Sequence, residues 1–458
     1  MKKLIAIALA GTVGLTGLIL TNFMHDNRPV LKVANWAEYI DGGDEDSYLI
    51  HAFEEWYEEQ TGKQIRVEYC IADDNEILYN MIKMGDHFDV ICPSEYMLMK
   101  LIAEARVQKL PESFYDTENE LNYYANNVSP FILNTFSNNY IKGSPWKDYA
   151  AGYMWGTTGF VYNSEIENIE EDVKTWNVFT NPNYGKKITA KNNIRDSYFA
   201  GLGMYYEEEL KTLRSQFEGG ILPLTDYQKQ LSSMMNDTSE KTMNAVKSRL
   251  MSMTDNLYGF ETDEGKNDTI AGKITVNYQW SGDAVYIMDS AEYGEEGEEE
   301  HDPLILNYCI PDSVSNLWFD GWTLTKACKD VDAATMFINF LSKPENAVSN
   351  MQYIGYTSCI ASPTVFNDFV LDYYEAEEDD ETAVPYDLNY YFNPNYVKGD
   401  ASTIDEAYIF YAPAEQLKRQ LFAQYPDEHT LTRCVAMQYF DADANSRANS
   451  MWSDITFF

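Results

Sequence analysis

Apolar residues recur along this chain in two rhythms, every second position in short runs and every third or fourth in longer ones. Residues 31–35 read as a strand. A helical stretch follows, with Leu49, Phe53, Trp56 and Tyr57 on one face and Gly62 as its stop. Residues 64–69 form a second strand, and Ile77, Leu78, Met81 and Ile82 mark a second helix that closes at Gly85. Residues 88–92 form a third strand, and Pro93-Ser94-Glu95-Tyr96 lead into a helix running through Leu101 and Ile102. This alternation predicts a parallel sheet with crossover helices. Ligands of such sheets sit beyond the carboxyl ends of the strands. Trp36, Glu38 and Tyr39 stand at one such end, and Ser94 and Tyr96 at another.

From 110 to 147 the pattern weakens into an Asn- and Tyr-rich stretch that reads as a surface excursion. Residues 153–162 read as a strand pair entering a second lobe, and 187–190 as a short strand. Asn192-Asn193-Ile194-Arg195-Asp196 then opens a helix through Phe199, Leu202 and Tyr205. Residues 273–280 predict another strand, ending in Trp280-Ser281-Gly282-Asp283 before a helix. Further helices start near Asp330 or Asp332 and at Pro344, and the last quarter is helical around 417–422 and 445–455.

One strand carries unusual chemistry. In Asn316-Leu317-Trp318-Phe319-Asp320-Gly321-Trp322-Thr323-Leu324, alternation sends Trp318, Asp320 and Trp322 to one side. A carboxylate set in an aromatic wall can receive an organic cation. The same pattern also suits a buried aromatic strand whose Asp is satisfied by backbone amides.

At 458 residues the chain exceeds one ordinary core. Its 73 acids against 33 bases give a net charge of −40, a field that repels nucleic acid and anionic lipid and attracts cations. Residues 4–20 are apolar and uncharged behind Lys2-Lys3, an export signal or a short anchor. With no small-residue cleavage pattern and no Cys before Cys70, an uncleaved anchor on an exported protein is the expectation. Six scattered cysteines without a C-x-x-C pair read as buried thiols, and no metal, cofactor or catalytic residue is expected. Phosphate-loop, zinc-protease and nucleophile-elbow motifs are all missing, and the five His are isolated. The acidic runs 292–302 and 372–381 carry seven acids each without the spacing of a calcium loop, and read as solvated loops.

Six motifs occurring in order resemble the spermidine/putrescine-binding proteins of bacterial ABC importers. They are Asn35-Trp36-Ala37-Glu38-Tyr39; Phe88-Asp89-Val90 with Pro93-Ser94-Glu95-Tyr96; Trp155-Gly156; Trp280-Ser281-Gly282-Asp283; Trp318-Phe319-Asp320; and Ile354-Gly355-Tyr356. The resemblance implies a two-lobe α/β fold of the periplasmic-binding-protein type II, with a hinge and the ligand in the cleft. The lobes expected are 29–148 plus about 316–365, and 149–315 plus about 366–458, after a segment 1–28. It implies aromatic contacts from Trp36, Tyr39, Tyr96, Trp280, Trp318 and Tyr356, and a polar contact from Ser94. Asp196 and Asp320 match carboxylates that receive ammonium groups, and Asp283 one found in putrescine-preferring relatives. Asp196 and Asp283 also suit plain helix-start roles, and Trp155 and Trp322 read as core.

Two departures bear on the ligand. Asn193 stands where spermidine binders carry an Asp, and Ala37 where a hydroxyl residue is usual. The expectation is a monomer that binds putrescine in preference to spermidine and delivers it to an ABC permease, with Glu38 able to supply a further charge. An oligosaccharide binder, or a polyamine sensor without transport, remains the alternative. A C-terminal ligand contact falls on Met437 or Gln438, between which the sequence does not choose.

Overall fold

The computed structural model describes residues 26–42, 48–262, 264–294 and 303–456. The apolar run 4–20 and most of the first acidic run lie outside the described residues. Strand β1 (Val30–Asn35) lies between β2 (Arg66–Ile71) and β3 (Val90–Ile91) and is parallel to both. The helices α1 (Tyr48–Thr61), α2 (Asn75–Met84) and α3 (Glu95–Ala103) follow these strands in turn, as the periodicity predicts. Asp74 caps α2 by accepting from the Ile77 N–H, and Gly85 ends it at a φ of 105°, a conformation that disfavours any Cβ.

The strand pair expected at 153–162 is one continuous strand, β4 (Ala150–Asn163). Its first half pairs with β8 (Ser315–Thr325), and its second half with Val276–Trp280 and Leu306–Cys309. A run of fourteen mostly apolar residues without a turn signal is extended throughout because it is buried on both faces. On the far side lie β5 (Ile188–Lys191), α4 (Ile194–Glu218), β6 (Gly259–Glu261), β7 (Val276–Trp280) and α5 (Ser281–Tyr293). β4 therefore runs from one apolar core into the other. Met154 and Trp155 belong to the larger core and Phe160 and Tyr162 to the smaller.

One further expectation changes. The stretch 110–147 is not a surface excursion. It holds the helix Pro130–Asn138 and buries Phe114, Tyr124, Ile132, Phe136 and Trp146, because its few apolar residues are large enough to reach the core from short elements. The apolar residues of the last quarter are shared between the two cores. Residues from Val365 to Cys434 join the larger core, and Val435 to Ile455 join the smaller. Tyr391 accounts for much of this, stacking on Trp155 at 5.4 Å and accepting its indole N–H at 2.8 Å. All six cysteines are free thiols, four of them buried.

Candidate functional site

Asp320 is the centre of the site. It is 5% exposed on β8, bridged to Ser94 at the start of α3, and its Oδ2 accepts the Tyr39 hydroxyl at 2.8 Å. Burial raises its pKa to about 6, against the pull of Ser94, Tyr39 and the Trp36 indole. Its Oδ1 is buried with no hydrogen-bonding donor on it. Such an atom costs free energy until something donates to it.

Rings enclose this carboxylate. Tyr356 lies 5.4 Å from both Tyr39 and Trp318, and Tyr153 packs behind Tyr39 at 5.5 Å. Two glycines permit this. A Cβ on Gly156 would come within 2.6 Å of the Trp318 ring, and one on Gly282 within 2.1 Å of Tyr356. The glycines of the Trp-Gly and Trp-Ser-Gly-Asp motifs are thus places where a ring lies on bare backbone. Trp322 packs on Tyr153 at 4.8 Å and on Phe337, and Trp155 on Tyr391, so both are core as expected.

Beyond Asp320 the charges change. Glu95, beside Ser94, is 1% exposed and accepts the Phe319 and Met437 N–H groups. Burial lifts its pKa to about 8, with Asp320 adding to the rise. Arg195 is sandwiched between Tyr96 at 4.2 Å and Phe440 at 3.7 Å, and donates to the Gln438 carbonyl. Burial raises the pKa of Glu76, which accepts the Tyr96 hydroxyl at 3.3 Å, against the pull of Arg195. One face of the Tyr96 ring is therefore covered by a guanidinium of the chain itself.

Asn193 is the N-cap of α4, accepting from the Asp196 N–H at 2.8 Å and donating to Asp196 Oδ2 at 2.6 Å. Asp196 is thus in the first turn of the helix rather than its cap. Burial raises its pKa, and Asn193, Lys191, the Trp280 indole and Arg195 work against that rise. The Lys191 ammonium stands 3.9 Å over the Trp280 ring. Asp283, in the first turn of α5, pairs with Lys266 at 3.6 Å. Glu38 is exposed at a φ of 53° in the turn after β1.

The fold thus gathers Trp36, Tyr39, Ser94, Trp318, Asp320 and Tyr356 on one side, and Tyr96, Asn193, Asp196 and Trp280 on the other. Glu95 and Arg195 join the two. Sequence reasoning passed over Glu76, Glu95, Lys191, Arg195 and Phe440. Glu95 lies inside one of the six motifs and Arg195 in the stretch that opens α4, and their burial was the missing information. No group of three or more possible metal-ligating side chains occurs among the described residues.

Residues 49–368 match the family model described as bacterial extracellular solute-binding protein. The chain is 23% identical over 360 residues to the spermidine/putrescine-binding periplasmic protein of Escherichia coli K12, covering 77% of this chain and 85% of that one. It is 26% identical over 350 residues to the putrescine-binding periplasmic protein SpuD of Pseudomonas aeruginosa, covering 75% and 80%. The solved structure of the spermidine/putrescine ABC transporter substrate-binding protein PotD from Streptococcus pneumoniae superposes with a TM-score of 0.56 at 23% identity, covering 94% of this chain and 99% of the other. That likeness shows a shared fold.

Proposed function

Because the chain belongs to the bacterial extracellular solute-binding proteins, we propose that it binds a polyamine and hands it to an ABC importer, acting as a carrier and not as an enzyme. The observation that carries this reading is the buried Asp320 carboxylate, with one oxygen lacking a donor and Tyr39, Trp318 and Tyr356 around it. An ammonium supplies the missing donor and the missing charge, while the rings take the methylene spacer and contribute cation–π attraction of roughly 0.5–2 kcal/mol each. The relatives named for spermidine and putrescine support the same ligand class.

Putrescine is the favoured ligand within that class. Asn193 spends its side chain on the helix cap and on Asp196, and Asp283 already has Lys266. Little free anionic capacity is left for a third ammonium. A sugar ligand fits less well, because the residue at the centre is a carboxylate without a basic partner among the described residues. Calorimetric titration with putrescine, spermidine and a neutral disaccharide tests the reading. Binding of the sugar alone would overturn it.

The pH dependence follows from Asp320. Its folded pKa of about 6 exceeds the ordinary 3.8, so the native state holds a proton that the unfolded chain lacks between those values. Its contribution to ligand-free stability is present below the lower value and is lost as pH rises through 6. Binding runs the other way, since an ammonium needs the ionised form. Affinity for putrescine should fall as pH drops below about 6, approaching tenfold per unit for one linked proton. Titrations between pH 8 and 5 check this, and a flat profile would show that Asp320 does not meet the cation.

We also propose that the protein works outside the cytoplasmic membrane, held there by residues 4–20. That run has neither a small-residue cleavage site nor a lipid-accepting Cys. No helix of the described residues is long and apolar enough to cross a membrane. N-terminal sequencing of envelope and supernatant fractions is the test, and mature protein starting near residue 25 in the supernatant would end the anchor idea while leaving export in place.

A further inference from the structure

Lys191 is the last residue of β5, where parallel pairing with β6 sets it opposite Glu261. Its side chain is 1% exposed. The ammonium lies 3.9 Å from the centroid of the Trp280 ring and 3.9 Å from Glu261 Oε1, and donates to the Thr262 carbonyl at 3.3 Å. A lysine is seldom buried this deeply unless it is paired. Here its surroundings are those of a cation receptor: an indole face, a carboxylate, a backbone oxygen and the neighbouring Asp196, whose own charge it stabilises.

Resting on the polyamine reading above, we propose that Lys191 is a specificity-determining residue. Its ammonium takes the place on Trp280, beside Asp196, that the third ammonium of a triamine would need. A diamine is anchored at Asp320 and can end short of Trp280. A triamine must bring a further charge against the ammonium already there, and in a desolvated setting that repulsion is screened very little. Arg195 on Tyr96 adds a second fixed positive charge on the same side. Selection between amines therefore comes from a cation belonging to the protein, which repels the wrong ligand, as well as from the carboxylates that attract the right one.

The test is calorimetry on the full chain at matched salt with putrescine, spermidine and N-propylputrescine, which is spermidine without its terminal ammonium. In the parent, N-propylputrescine should bind at least tenfold more tightly than spermidine, because only the charge differs at the far end. In Lys191→Met the spermidine-to-putrescine affinity ratio should rise at least tenfold, and Lys191→Arg should keep the parent ratio. Equal affinities of the parent for N-propylputrescine and spermidine overturn the inference, whether or not Lys191→Met folds. So does a Lys191→Met protein that melts like the parent with its ratio within threefold of the parent value. Putrescine binding together with either result leaves the polyamine reading standing. No binding of any of the three amines by the parent overturns that reading and this inference together.

Discussion

Asp320→Asn is expected to abolish most polyamine binding and to leave the fold intact. The substitution keeps the shape of the side chain and an acceptor for the Tyr39 hydroxyl, which donates to Oδ2 at 2.8 Å. It removes the charge an ammonium requires, in a group that is 5% exposed and pairs with no cation among the described residues. Losing one partner of a desolvated pair costs on the order of 2–5 kcal/mol, or roughly thirtyfold to several thousandfold in affinity. The ligand-free variant should melt at the parent temperature or above it, because an ionised carboxylate held in that pocket at neutral pH is itself a burden. Calorimetry and thermal melting together decide the matter. Binding within twofold of the parent would make Asp320 a structural residue, and a large fall in melting temperature would mean that its charge supports the fold.

Trp155→Ala should be the most damaging core substitution near the site. The indole is fully buried on β4, stacks on Tyr391 and lies 5.2 Å from the Phe131 ring. Its N–H also satisfies the Tyr391 hydroxyl oxygen at 2.8 Å. Truncation removes that large apolar contact and leaves a cavity between the first part of the chain and the segment after Val365, at an expected cost of about 3–5 kcal/mol. Chemical denaturation of the parent and the variant reads it directly. A change below about 1 kcal/mol would show that the C-terminal segment does not depend on this contact. Ligand affinity should fall less than stability does, since Trp155 stands behind Phe319 and not beside Asp320.

The regular parts of this fold were legible from the sequence because their signals are local. Helices α1, α2 and α3 could be placed from their apolar spacing and from Gly62 and Gly85, which no side chain replaces cheaply at positive φ. Parallel pairing followed from strands separated by helix-length segments. The stretch 110–147 failed for the opposite reason. Its core contacts come from Tyr124 and Trp146 on elements of five residues or fewer and from Ile132 and Phe136 on one nine-residue helix, too short for a period to stand out. The length of β4 was also hidden, since an uninterrupted apolar run fits a single strand or a pair equally well.

At the site, the sequence by itself determined which residue types meet. It held a carboxylate between tryptophans on one strand, aromatic and hydroxyl residues at strand ends, and a chain charged to −40. Only the tertiary structure decided which of those carboxylates is without a cation. Asp196 has Lys191 and Arg195 nearby, and Asp283 has Lys266, whereas Asp320 meets hydroxyls and an indole. Trp280 is far along the chain from Lys191 and Asp196, and no periodicity or spacing links it to them. Whether a charge is paired depends on distances of a few ångströms between elements brought together by the burial of apolar surface. That burial is non-directional and is summed over the whole core, so the pairing is decided only when the chain has folded.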